Sequence, residues 1–263
     1  MNPACGKSQQ RRVFISILAL SSLLAVLAVV AGELVIGLGL FFLTHMAWLY
    51  AQLNPTVQWL GPVVTGFRTD EKEIWLTIDD GPDQQETERV LELLDRYQAK
   101  ATFFVIAKKA SENPASIEQI IQKGHQVANH TMNHPESRFW CLSKRRLEAE
   151  INDASAIIAG ITGQRPLLFR APVGHKPRSL HAVLAKAELP LIAWTARGFD
   201  GVLTDSGGIV ERIRKNIKPG AIVLLHEGRG TLPDTLVDLL EGFSSQGYRC
   251  VLPAADSFVC GRR

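Results

Sequence analysis

Two uncharged apolar runs open the chain, Val13 to Ala31 with 19 residues and Leu34 to Leu53 with 20, separated only by Gly32 and Glu33. Each is long enough to cross a bilayer as a helix. Trp48 and Tyr50 near the end of the second run suit an interfacial aromatic belt, and Asn54-Pro55 stops a helix there. Beyond Asn54 the pattern changes to short apolar runs alternating with helical periodicity. Seven runs predict strands: Ile74 to Asp79, Ala101 to Ile106, Gln126 to Asn129, Leu167 to Arg170, Leu191 to Thr195, Ala221 to His226 and Tyr248 to Leu252. Helical patterns lie between them at 84–98, 114–123, 143–160, 178–188, 207–217 and 233–246. Val90, Leu93, Leu94 and Tyr97 in the first, and Leu147, Ile151, Ala154 and Ile158 in the third, recur at the 3.6-residue period of a core-facing stripe. The alternation predicts an α/β fold whose seven βα-type units close into a barrel or wind into an open sheet. Both architectures place ligands at the carboxyl ends of the strands.

Charge divides the chain in the same place. Only Lys7, Arg11, Arg12 and Glu33 are charged in the first 53 residues; the remainder holds 26 Lys or Arg against 25 Asp or Glu. So balanced a domain shows no nucleic-acid footprint. The expected organisation is a basic tail at 1–12, two membrane segments at 13–31 and 34–53, a connector at 54–73 and one soluble domain at 74–263. Lys7, Arg11 and Arg12 precede the first apolar run, so the positive-inside rule puts the N-terminus in the cytoplasm, and a tight helical hairpin returns the domain to that side. Two other readings stay open: a cleaved signal peptide, for which Ala28, Val29, Val30 and Ala31 resemble a small-residue cleavage site, and a shallow interfacial hairpin. Cys5, Cys141, Cys250 and Cys260 lack CxxC spacing and are expected as reduced thiols.

The polar residues able to carry chemistry cluster where the strands end. Asp79 and Asp80 close the first strand before Gly81-Pro82; an extended backbone would point them to different sides, one for a metal and the other for a proton. A strand-terminating Asp-Gly-Pro turn is the bland alternative. His130 and His134, at i and i+4, would face one way on a helical turn and reach one zinc, with Asp80 as the natural third ligand, leaving positions open for water and substrate. Arg170 ends the fourth strand, where a partly buried cation needs a partner, and Asp79 is the candidate. His226 ends the apolar run Ile222-Val223-Leu224-Leu225 at the same rim and is the candidate general acid.

Thr77 to Pro82, His130 to His134, Arg170 to Gly174 and Leu224 to His226 stand in the order of one family. They resemble the polysaccharide deacetylases of the NodB-homology type, carbohydrate esterase family four, over roughly Ile74 to Leu252. The resemblance implies a deformed (β/α)7 barrel and metal-dependent removal of an N-acetyl, or N-formyl, group from an amino sugar. It implies Asp79 as base, Asp80, His130 and His134 as ligands of a divalent metal, usually zinc, His226 as acid and Arg170 as the partner of Asp79. Val173 would offer an oxyanion-binding N–H, and Leu224, Trp194 and Asp200 would lie on the substrate side of the site.

Two stretches depart from the family pattern. Val173 stands where an aromatic is usual, so an aromatic wall for the sugar is missing. In Trp194 to Gly201, Arg197 holds a position often acidic and Gly201 one often held by tryptophan, which leaves Asp200 as the candidate group that tunes His226; Glu227 takes a place where aspartate is common. Altered groove walls beside a membrane hairpin favour a lipid-linked saccharide, with membrane lipid as a second partner. The alternatives are an exported peptidoglycan or envelope polysaccharide deacetylase, and an inactive carbohydrate-binding membrane protein. Retention of all six polar groups argues against the last.

Overall fold

The computed structural model describes residues 9–261, so Cys5 and Lys7 lie outside the described residues. Two helices, α1 (Gln9–Val30) and α2 (Leu34–Leu53), form an antiparallel hairpin, with Ser21 Oγ 2.8 Å from Thr44 Oγ1 and Phe14 stacked beside Trp48. A Cβ on Gly37 would run into Val29 and the backbone of Ala25, so a small residue sets the close approach there. Both helices are long and apolar enough to cross a membrane, and their outward side chains, among them Leu20, Leu27, Val35 and Phe42, are exposed. Only the open end of the hairpin is covered. There Phe14, Ala51 and Leu60 form a small core with Trp48, Val57 and Trp59.

The rest of the chain winds around a parallel sheet. β2 (Glu73–Asp79) lies at its centre, flanked by β3 (Ala101–Val105) and then β4 (Gln126–Asn129) on one side, and by β6 (Ala221–His226) and then β5 (Ala196–Arg197) on the other. Single bridges from Asn129 to Phe169 and from Phe169 to Leu191 carry the ring onward. The segment that begins at Leu191 reaches β6 through Ala196 and Val223, and the ring closes. This is the deformed barrel that the alternating pattern and the family resemblance imply. The expected strands at 167–170 and 191–195 shrink to these bridges, because Pro166, Pro172 and Pro190 deny the backbone donors a full ladder needs. The expected strand at 248–252 is β7 (Arg249–Cys250), paired with the start of β2. A short antiparallel pair is added: β1 (Val64–Phe67), in the stretch that follows the hairpin, joins β8 (Phe258–Cys260).

The helices are α3 (Thr87–Arg96), α4 (Ala107–Glu112), α5 (Pro114–Gln122), α6 (Lys144–Thr162), α7 (Leu180–Ala187), α8 (Ser206–Arg214) and α9 (Leu232–Ser245). All but α4 fall on the expected helical stretches. Strand alternation divides the core in two. On β2, Ile74, Leu76 and Ile78 pack outward among residues of α3, α8 and α9, while Trp75 joins Phe104, Ile222 and Leu224 in the second core, between the sheet and the bridged segments. The same parity carries Thr77 and Asp79 to that inner side, and the register sets Asp79 opposite His226 at the C-terminal rim.

Cys141 and Cys250 are free thiols, the latter buried, whereas Cys260 is disulfide-bonded. The expectation of four reduced thiols is therefore corrected.

Candidate active site

At the rim β2 stops being extended. Asp80 adopts a left-handed backbone (φ 71°), which turns its carboxylate back toward the mouth that Asp79 already faces. Alternation alone would have parted the two. Both flank the same imidazole, with His130 Nε2 3.4 Å from Asp80 Oδ1 and 3.7 Å from Asp79 Oδ2. Their partners nevertheless differ, as the doubled carboxylate suggested. Asp79 Oδ1 accepts a 2.6 Å bond from Nη1 of Arg170, a guanidinium fully buried beneath the rim. Arg170 also donates to Thr77 Oγ1, Ile192 O and Ala193 O, and lies 4.2 Å over the Phe104 ring. All three nitrogens of its fork are used, so Asp79 is clamped in place.

His130 and His134 do come together, with ring centroids 4.7 Å apart, but not on a helical turn. They sit on a loop after β4 in which Thr131 (φ 72°) and His134 (φ 51°) are left-handed. Side chains from α6 hold that loop: Asn129 bonds to Ile151 O and Ser155 Oγ and accepts from the Thr131 N–H, while the Glu150 carboxylate takes the N–H groups of Met132 and Asn133. The i,i+4 spacing thus marks the right pair for a different geometric reason.

Asp80, His130 and His134 offer ligand atoms that all lie within 4.8 Å of one another. His130 Nδ1 is 2.9 Å from the carbonyl of Arg170; a carbonyl only accepts, so Nδ1 carries the proton and Nε2 turns a lone pair on Asp80. Asp80 Oδ1 is buried without a hydrogen bond, although His134 Nε2 stands 3.2 Å away. A buried anionic oxygen facing two nitrogens without a hydrogen between them is the donor set of a divalent cation. The protonation balance agrees. Burial favours the neutral acid at Asp80, but the adjacent imidazoles of His130 and His134 outweigh it and hold the carboxyl well below its usual range. Burial and the neighbouring His130 lower His134 to about 4, so it is a neutral imidazole at physiological pH.

Across the mouth, His226 is placed by Asp200, whose Oδ2 accepts from the His226 N–H (2.7 Å) and whose Oδ1 lies 3.0 Å from Nδ1. Burial would lower this imidazole; the hydrogen bond and charge of Asp200, helped by Asp79 and Asp80, raise it instead. Gly201 lies beside the ring, its nearest His226 atoms 3.6 Å from where a Cβ would stand.

The remaining expected site residues fall differently. Val173 is 48% exposed at the mouth and left-handed (φ 55°). Trp194 is only 6% exposed, close to the guanidinium groups of both Arg170 and Arg197, and Leu224 is buried opposite Thr77 in the strand register. Both are packed directly behind the groups that face the mouth. Three supports had weaker sequence signals or none. Thr77 links Arg170 to the Val223 carbonyl, and Lys109 donates to the Asp80 carbonyl (2.8 Å). Glu227 lies against Gly81, where a Cβ would strike its carboxylate; burial, reinforced by Glu86 and Asp83, pushes its carboxyl up to about 8 and leaves it protonated at neutral pH. Thr77 and Glu227 fall inside or beside the quoted motifs, whereas Lys109 is an isolated lysine that no spacing singles out.

Comparison with known proteins agrees with this geometry. The family model "Polysaccharide deacetylase" matches residues 67–192. A peptidoglycan-N-acetylglucosamine deacetylase of Bacillus cereus is 35% identical over 208 residues, 77% of this chain and 94% of that protein. A chitooligosaccharide deacetylase of a Bradyrhizobium species is 36% identical over 60% of this chain and 71% of its own length. The solved structure of the peptidoglycan deacetylase PdaC from Bacillus subtilis superposes with a TM-score of 0.64 at 30% identity, covering 69% of this chain and 88% of that one. A barrel with an Asp-His-His set, a clamped second carboxylate and a carboxylate-held histidine on one rim defines a hydrolase of acylated amino sugars. The chain belongs to the polysaccharide deacetylases of the NodB-homology type, carbohydrate esterase family 4, and is a carbohydrate de-N-acetylase.

Proposed function

We propose that the chain is a membrane-anchored, zinc-dependent hydrolase that removes the N-acetyl group from an amino sugar of a lipid-linked saccharide. One observation carries the reading: the polar groups share a rim whose outer loop, Pro172 to Gly174, rests on Pro55, two residues beyond the apolar helix α2. A Cβ on Gly174 would collide with Pro55 and with Trp194, so mouth and hairpin end are packed together. A divalent ion held by Asp80, His130 and His134 supplies Lewis acidity toward the amide carbonyl and toward water. The chain's own groups do the rest. Arg170 fixes Asp79, which takes the proton of the attacking water as the C–O bond forms. The Val173 N–H donates to the developing oxyanion. His226, kept protonated through Asp200, gives its proton to the sugar nitrogen as the C–N bond breaks, and acetate and the free amine leave.

The basic Arg11 and Arg12 and the antiparallel hairpin support a cytoplasmic face. A second reading, an exported enzyme acting on peptidoglycan or another envelope polysaccharide, is favoured by the disulfide at Cys260, a bond of oxidising compartments, and by the substrates printed in the names of the relatives. Paired topology reporters fused after Arg263 separate them: activity only of the reporter that works in the cytoplasm supports the first, activity of the phosphatase that works in the periplasm the second. Roles within the site are tested by paired variants. Asp79→Asn should keep the metal while lowering kcat about 100-fold or more, whereas Asp80→Asn should lose the metal itself. The reverse pattern overturns the assignment of base and ligand.

A further inference from the structure

The reaction uses nothing of the turn after His134 or of the first turn of α6, yet together they set Arg138, Lys144, Arg145 and Arg146 against Glu136 alone. Backbone bonds from Glu136 N to His134 O and from Arg138 N to Pro135 O fold the former turn directly after the second histidine. It opens a cavity of about 320 Å³ lined by Pro135, Arg138, Leu142, Arg146, Ala149 and Glu150. Lys144, Arg145 and Arg146 fill the first turn of α6, which carries no acidic residue. Cations at a helix N-terminus oppose the macrodipole, so this turn sits at a cost that an anion relieves. Lys144 reaches Glu148 at 4.0 Å, but Arg138, Arg145 and Arg146 have no carboxylate within ion-pair distance among the described residues. The one carboxylate lining the cavity is already engaged: Glu150 accepts from Met132 N, Asn133 N and Asn133 Nδ2 at 2.9–3.0 Å.

The cavity also adjoins the membrane side. Gln52, near the end of α2, donates to the carbonyl of Trp140 (3.4 Å), inside the turn that Arg138 and Leu142 bracket. Trp140 is 39% exposed, an aromatic at the level where an apolar helix ends. Apolar helix, exposed tryptophan, arginine-lined cavity and histidine ligand therefore follow one another from the end of α2 toward the mouth.

We infer that the Arg138–Arg146 cavity binds the phosphate of the lipid that carries the amino sugar, with the two guanidinium forks as its ligands. The substrate class is thus a polyprenyl phosphate- or diphosphate-linked N-acetylated sugar. Guanidinium forks match phosphate oxygens, and the cavity's lining runs from Pro135, next to His134, to the turn that Gln52 of α2 holds, so one end adjoins the site and the other the hairpin. This inference rests on the proposed lipid-linked reading and deepens it.

The test uses the full chain in neutral detergent micelles. Binding of undecaprenyl phosphate, phosphatidylglycerol and inorganic phosphate is measured by titration calorimetry for the parent, for Arg138→Ala/Arg146→Ala and for Arg138→Lys/Arg146→Lys, each first checked for metal content as a sign of an intact fold. The parent is expected to bind undecaprenyl phosphate at least ~10-fold more tightly than either other probe, the alanine pair to lose at least ~10-fold, and the lysine pair to lose less because charge without the fork remains. Equal binding of all three probes, or undiminished binding by an intact alanine pair, overturns the inference. In a second arm, turnover of undecaprenyl diphosphate-linked N-acetylglucosamine is compared with that of N-acetylchitotetraose. The ratio of their kcat/KM values should fall at least ~10-fold in the alanine pair; an equal fall on both substrates means a structural effect and overturns it. If the parent deacetylates neither, the deacetylase reading fails while the binding arm still decides the phosphate site.

Discussion

His134 and His226 stand on opposite sides of one mouth, both largely buried, and the fold sends them in opposite directions. Burial, with the neighbouring His130, lowers His134 to about 4 against the opposing charge of Asp80, so it faces Asp80 as a neutral imidazole. Burial acts on His226 as well, yet Asp200 grips both its backbone N–H and its ring, and the imidazole is raised. The same residue type is thereby suited to the proposed ligand role in one place and the proposed acid role in the other, and the hydrogen bond to Asp200 is the largest of the contributions that raise His226.

The largest effect should come from breaking the ligand side. His134→Ala removes one of three metal donors, and both bound metal, counted by inductively coupled plasma mass spectrometry, and turnover should fall to background. On the other side, His226→Ala should leave the metal in place and lower kcat by about 100-fold or more, the ordinary worth of a general acid. Loss of metal in that variant would mean that the two histidines are not divided as described.

A subtler change sharpens the comparison. Asp200→Asn keeps His226 but removes the charge that raises it, so kcat should fall less than in His226→Ala. The sign of the pH effect follows from the acid's role: His226 works protonated, activity is lost as pH rises through its pKa, and Asp200 holds that pKa up. The alkaline limb of the kcat profile should therefore move to lower pH in the variant; an unmoved limb would assign the limb to another group. Arg170→Met, read on the fold and not on turnover, should give the clearest effect on stability. It leaves the buried Asp79 carboxylate without its clamp, and thermal or urea unfolding should report a loss of about 3–5 kcal/mol.

Much of this was legible in the residues. Apolar runs mark β2, β3, β4 and β6, and acidic, basic and imidazole groups mark their ends, because a parallel strand buried on both faces tolerates polar side chains only where it leaves the core. Less legible was anything set by contacts across the ring. The HxxxH spacing suggested a helical turn, yet the pair depends on left-handed Thr131 and His134 held by Asn129 and Glu150, partners that no local period reveals. Nor does any local pattern show that Trp194 lies beside both Arg170 and Arg197. β1 and β8 are too short, and too far apart in sequence, to announce each other.

The contact of Gly174 with Pro55 bears on how the enzyme meets its substrate. A flexible tether of n residues gives a domain a reach of roughly 5–6 Å × √n above its anchor. Here the catalytic loop is seated on the residue that follows the helix and Asn54, so for an anchored enzyme the slack is close to nil. With the proposed lipid-linked substrate, such a mouth would work at one fixed height and collect substrate by lateral diffusion in the plane of the bilayer. Its rate then follows the mole fraction of substrate among the surrounding lipids and is insensitive to total volume: diluting vesicles with buffer leaves the turnover unchanged, whereas diluting the substrate with inert lipid lowers it in proportion.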